Sequence, residues 1–198
     1  MGAYVKVVEE LARYLKRETV EESRRLLGEA ALAFERVDRR WIDRAFVITG
    51  ENDFPVNEQS LGILRDQSEA LRAVGTLLKE EQGILARQKG LASGAERRYR
   101  DILRLQQEAH RAFDSIGHEG IKSAIRWLVD EIDRTHASVV RPAHDRQERL
   151  LALFDQVVRS TGSSSAGALV KDFREYSSKI RVIEQRVHRA AGRAAGSE

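Results

Sequence analysis

NEQSLGILRDQSEALRAVGTLLKEEQGILARQKGLASGAERRYRDILRLQQEAHRAFDSI, residues 57–116, decides the fold. Read in sevens, it carries two adjacent apolar rows. Leu64, Leu71, Leu78, Leu85, Ala92, Tyr99, Gln106 and Phe113 make one; Ile63, Ala70, Leu77, Ile84, Leu91, Arg98, Leu105 and Ala112 make the other. Side by side they form a stripe wider than the seam of a two-stranded coiled coil, and two further helices can cover it at once. The phase holds through Gly90 and Gly94, where a turn would shift it. Ser93 to Glu96 (SGAE) nevertheless has the form of a capping box. Two readings therefore stand: one helix to about Ser115, or two helices meeting near 90–93. The unbroken phase favours a continuous helix that is locally weakened by its glycines.

Outward from this stretch, composition agrees. Of 198 residues, 33% are charged, 6% are aromatic and only two are proline, which favours long helices over sheet or disorder. Thirty-four basic and 31 acidic residues leave a net charge of +3. The signs are closely mixed, as in ERRYRD (96–101), which suits a solvated helical face better than a phosphate-binding patch. Cysteine is absent, so disulfides and thiolate metal sites are excluded. The start of the chain has no signal-peptide pattern, and no apolar run is long enough to cross a bilayer. The expectation is a soluble, cytoplasmic protein.

Before the long stretch, Tyr4, Val8, Leu11 and Leu15 share one face of an amphipathic helix over residues 1–18. Thr19 to Glu22 (TVEE) resembles a capping box, and Val20, Leu27, Phe34, Trp41 and Ile48 then recur every seven residues, predicting a helix over 20–48. TGENDFPVNE (49–58) is the clearest loop, with Asn57 placed to cap the long helix and Phe54 to plug the end of the bundle. After a tight turn at Gly117 to Gly120, Ile121, Ile125, Leu128, Ile132, Val139 and Val140 mark a helix over 119–160 that is kinked or restarted at Pro142. STGSSSAG (160–167) reads as a flexible connection. Leu169, Phe173, Tyr176, Ile180, Ile183, Val187 and Ala190 then form a coiled-coil-like seam on a last helix over 166–190, followed by a fraying tail, 191–198.

Motifs for chemistry are sparse. Di-iron bundles place Glu-x-x-His pairs on two helices, and the nearest pattern is one Asp133 to His136 (DRTH). His110, Asp114 and His118 are spaced by four, but Gly117 should end the helix before His118 joins that face. GSSSA (162–166) approaches a nucleophile elbow without a preceding strand. Adjacent Glu80 and Glu81 point to different sides of a helix. Phosphate-cradling glycine loops are absent in their usual form. No catalytic residue, cofactor or metal ligand is assigned, and the expectation is not an enzyme.

Binding fits the pattern better. Lys179, Arg181, Arg186, Arg189 and Arg193 make the last helix the most basic stretch, the candidate for nucleic-acid phosphates in the alternative reading. The first helix can lie on a membrane surface only against the charges of Glu9 and Glu10, so a membrane partner is not expected. No small-molecule substrate is indicated. Trp127 stands beside the stripe Ile121, Ile125, Leu128, Ile132, which is expected to face inward, and Tyr14 stands beside the first stripe; both are candidate interface anchors. The sequence thus predicts an all-α, elongated antiparallel helical bundle over residues 1–198, a single helical domain with one very long central helix at about 57–116. It is expected to act through its helical faces, on itself or on other proteins, as an oligomer or as a filament, coat, scaffold or adaptor subunit. A nucleic-acid-associated protein is the alternative, and a helical enzyme without a local motif comes third.

Overall fold

The computed structural model describes residues 2–51, 54–160 and 163–195, with side chains for all of these except 158–160, 163–165 and 192–195. Among the described residues there is no strand, and the helices pack as a bundle. In chain order they are α1 (Gly2–Tyr14), α2 (Arg17–Glu35), α3 (Arg39–Gly50), α4 (Glu58–Asp114), α5 (Glu119–Thr135), a π-turn (His136–Val140), α6 (Arg141–Ser160) and α7 (Ser163–Ala195). None is both long and apolar enough to cross a membrane.

α4 is one uninterrupted helix of 57 residues that runs straight through Gly90, Ser93 and Gly94. Its start is fixed by Asn57, whose side-chain oxygen accepts from the amide of Ser60 at 2.9 Å. That bond satisfies one of the amides an α-helix leaves without a partner in its first turn. The continuous heptad phase outweighed the two glycines, each of which costs only about 1 kcal/mol in a helix interior.

The predicted helix over 20–48 is divided. α2 stops at Glu35, and Asp38 caps α3 by accepting from the amide of Trp41 at 2.9 Å, while its own amide donates to Gln67. Val37 is buried in the turn, so the apolar phase passes from Phe34 through Val37 to Ile42 across the break. A heptad count sees no interruption because the short turn keeps the stripe in step. Farther upstream, α1 ends at Tyr14 and α2 begins at Arg17, so Thr19 lies inside the first turn instead of capping it. The connection read over 160–167 is largely helical: α6 reaches Ser160 and α7 begins at Ser163, with residues 161–162 outside the described set.

Pro142 has a specific consequence. Proline lacks an amide hydrogen, and its ring clashes with the carbonyl four residues back in a regular α-helix. Here the clash is relieved upstream, where the amide of Arg141 donates to the carbonyl of His136, five residues earlier. The widened π-turn joins α5 to α6 without ending the helical run.

The contacts of the chain divide it into two compact units. The first comprises residues 1–21 and 84–159, and the second residues 22–83 and 160–198. In the second, Phe34 and Ala30 of α2, Ile42 and Ala45 of α3, Leu64, Leu71, Val74 and Leu78 of α4, and Ile180, Ile183 and Val187 of α7 bury one continuous core. Phe54 packs edge-on against Trp41 at its margin. α4 and α7 approach so closely at Gly75 that a Cβ there would lie 2.9 Å from the Phe173 ring. In the first unit the buried cluster is small: Tyr4 and Val8 of α1, Ala95 of α4 and Val140 of the π-turn.

Candidate interaction surface

Around that small cluster the first unit collects polar side chains. The Tyr4 hydroxyl donates to Oε1 of buried Gln147 at 3.2 Å and lies 3.5 Å from Nδ1 of His144. The Tyr99 ring stacks on His144 with centroids 3.7 Å apart and on His136 at 6.4 Å. Burial first, then the nearby Tyr99, Glu96 and Glu148, pushes the Tyr4 phenol up to about 12. The π-turn turns His136 toward Tyr99, and its buried Nε2 has no hydrogen-bond partner among the described residues. Apart from that atom, these donors and acceptors meet one another and hold α1 against α4 and α6. The open groove beside them is lined by Glu96, Arg97, Arg100 and Asp101, with Arg100 pairing Glu96 at 3.4 Å. Mixed charge of this kind selects no ligand class.

Beyond Tyr99 the first unit continues as a hairpin. Residues 115–118 turn the chain, His118 caps α5 by accepting from the amide of Ile121 at 3.3 Å, and α5 runs back along the end of α4. Asp133 receives Gln106 Nε2 at 2.7 Å and lies 2.9 Å from His110 Nε2. These two hydrogen bonds hold the Asp133 carboxyl below the usual carboxylate range. Lys122 covers the Phe113 ring at 5.4 Å. The spacing rules grouped His110 with Asp114 and His118, and Asp133 with His136. The fold instead pairs His110 with Asp133 and spends His118 on a helix cap.

From Glu96 to Val139 no residue is buried. α5 is strongly amphipathic, yet it has no buried residue at all. Ile121 is 53% exposed, Leu128 47% and Leu105 on α4 59%. The stripe expected to face inward is therefore only half covered: Ile125 and Ile132 are partly buried, whereas Ile121 and Leu128 are exposed. The reason is a shortage of helices. Two helices cover one flank of each other, and among the described residues no third helix lies over the hairpin beyond Ile102.

Helical rotation of about 100° per residue, implied by 3.6 residues per turn, then places the flanks. With Gln106, His110 and Phe113 toward α5, one flank of α4 carries Leu105, Ala109, Ala112 and Ile116, and the other carries Arg100, Gln107 and Asp114. With Lys122, Val129 and Asp133 toward α4, one flank of α5 carries Ile121, Ala124 and Leu128, and the other Glu119, Arg126 and Asp130. Because the helices are antiparallel, the two apolar flanks fall on the same side. The hairpin has one broad apolar face and one charged face.

The predicted anchors separate. Trp127 is 67% exposed at the outer edge of α5, whereas Tyr14 is half-buried, donates to the carbonyl of Ile84 at 2.8 Å and lies beneath Arg87. The basic candidates on α7 separate as well. Lys179 pairs with Asp43 and Glu175, each at 2.7 Å, and is raised mainly by those hydrogen bonds. Arg186 donates to the carbonyl of Phe46 at 2.9 Å and covers the Phe46 ring. Both hold α7 to α3. Arg181 and Arg189 are exposed, and the side chain of Arg193 lies outside the described residues. Glu81 is buried where Glu80 is exposed; burial pushes its carboxyl up, and the Ser23 hydroxyl, donating at 3.0 Å, opposes this.

Compared with protein-family models, with curated proteins and with solved structures, the chain finds no match.

Proposed function

We propose that this chain is a non-enzymatic helical protein that works through protein–protein contact in the cytoplasm, as a subunit of a larger assembly, with the apolar face of the α4–α5 hairpin as its working surface. One observation carries the reading: an amphipathic helix, α5, that fully buries none of its residues and leaves Ile121 and Leu128 exposed. Leaving Leu105, Ile121 and Leu128 in water forgoes roughly 25 cal/mol for each Å² of apolar surface that a partner would remove. Contiguous apolar surface on an otherwise charged molecule is the usual mark of an interaction site. The nucleic-acid alternative draws less support, since Lys179 and Arg186 are occupied within the second unit.

The test is residue-specific photo-crosslinking of the full chain in extract of the cells that make it. A photoreactive residue in place of Leu128 should give protein adducts, and one in place of Arg126, on the charged face, should give none. Equal adduct formation at both positions, or at neither, would remove the support for this reading.

A further inference from the structure

We infer that the occupant of this face is a second copy of the same chain, docked hairpin to hairpin about a two-fold axis parallel to the helices, so that α4 of each copy lies over α5 of the other. The inference rests on the interaction reading above and names the partner.

Width is the first argument. The uncovered surface is two helices wide, and a single helix laid along it would leave half of it in water. Another two-helix layer completes a four-helix bundle, the usual way for such hairpins to close a core. Relief is the second. Gln106 bound to Asp133 and Lys122 seated over Phe113 fix the heights within the hairpin. Ala109 is level with Leu128, Leu105 with Ile132, and Ile116 with Ile121. The proposed axis carries each helix onto the other at the same height. The small residues Ala109 and Ala112 then receive the large Leu128 and Ile125 of the partner, an alternation of large and small that fills a core without voids.

Charge is the third. The apolar face carries no charge to strip of water, and both edges carry mixed signs. Asp101, Arg104, Glu108 and Arg111 line the α4 edge, while Glu131 and Arg134 line the α5 edge. Edges of mixed sign tolerate one another across the dimer and give no preference for a polyanion or an anionic membrane. Size is the fourth. A face of about three helical turns and two helix widths offers on the order of 350 Å² per copy. The total of about 700 Å² lies in the range of weak, transient contacts, so the dimer should be reversible and form only as concentration rises.

The absence of cysteine makes a background-free test possible. Ala109→Cys and Leu128→Cys chains are prepared separately, then oxidised alone and as an equimolar mixture. The mixture should give a disulfide-linked species of twice the 22.4 kDa chain mass at several times the yield of either variant alone. In parallel, light scattering on the wild type should show the mass doubling as concentration rises, and Leu105→Glu should raise the dissociation constant at least tenfold with an unchanged circular dichroism spectrum.

Cross-links equally strong in the single-variant samples would overturn the α4-over-α5 arrangement. A wild type that stays at single-chain mass overturns the second copy as occupant. If adducts to other proteins still form at position 128, the interaction reading survives that failure; if they do not, both fail. Flotation of the wild type, but not Leu105→Glu, with neutral phosphatidylcholine vesicles would assign the face to a membrane and overturn the dimer.

Discussion

α4 serves two units and is treated differently by each. Its first half gives Leu64, Leu71, Val74 and Leu78 to a core that α2, α3 and α7 enclose, while its second half gives only Ala95 to a buried cluster. The sequence along the helix does not account for this, because the apolar rows continue as Leu85, Leu91, Tyr99, Leu105 and Phe113. What changes is the supply of covering helices. Three elements converge on the first half, whereas beyond Ile102, which still packs against the α1 and π-turn cluster, the second half has α5 alone among the described residues. The same pattern thus produces a closed core in one place and an apolar surface in the other. Pattern specifies a wish for burial, and topology decides whether the chain itself can grant it.

The largest expected effect separates the two halves directly. Ile183 is fully buried in the second unit, so Ile183→Ala should cost about 2–5 kcal/mol of unfolding free energy, the range for emptying a packed site. Ile121 on α5 is half exposed, and Ile121→Ala should cost about 0.5 kcal/mol when measured at high dilution. Urea denaturation of both variants checks this. Equal losses would mean that α5 is packed as tightly as α7. A cost for Ile121→Ala that grows with protein concentration would sharpen the contrast, since burial would then come from association.

Next in size is the first unit's own anchor. Tyr4→Phe removes the donor to buried Gln147, which should cost about 1–2 kcal/mol near neutral pH, the penalty for an unsatisfied buried acceptor. The tyrosine also fixes a pH dependence. Its folded pKa of about 12 lies above the ordinary 10.0, so the folded state favours the protonated phenol. Stability is therefore held below pH 10 and lost progressively as pH rises from there toward 12. Tyr14 and Tyr176 are raised as well, mainly by burial, so Tyr4→Phe should flatten the alkaline decline without abolishing it. Hydrogen exchange at about pH 8 and at about pH 10.5 tests whether amides of α1 and the π-turn open before those of α7. Simultaneous opening would deny the two regions separate stabilities.

Legibility followed the same divide. The heptad phase from Leu64 to Phe113 gave α4 whole, since periodicity over so many turns is hard to produce by chance. The seam from Leu169 to Val187 gave the inner face of α7. The break at Asp38 was hidden because Val37 carries the stripe across it, although the aspartate followed by Trp41 was a readable cap. Pro142 announced a disturbance, but spacing alone cannot distinguish a kink from a π-turn that absorbs the misfit one turn upstream. The inward assignment of Ile121 and Leu128 failed for a different reason. An amphipathic pattern says which face is apolar and not whether anything lies against it. His110 meeting Asp133 was illegible by local spacing, because the pair is formed by the turn at 115–118 and not by any single helix.

The smallest effect lies within α4 and needs only two methyl groups. Gly75 and Gly83 are both interior to the same helix, where exchange for alanine ordinarily stabilises by up to about 1 kcal/mol through helix propensity. At Gly83 a Cβ meets nothing within 4 Å, so Gly83→Ala should show that gain. At Gly75 the new Cβ would stand 2.9 Å from the tip of the Phe173 ring, closer than real contacts allow. Phe173 is itself packed at the margin of the second unit's core, so the ring must move or the helices must part. Forcing an extra methyl into such a contact typically costs about 1–3 kcal/mol, which should cancel the propensity gain or exceed it. Gly75→Ala should therefore fall below Gly83→Ala in thermal midpoint despite the identical chemistry. If the two variants rise together, α7 does not press on α4 there. The closed half of the helix would then be looser than its burial implies, and the contrast with the open half would narrow.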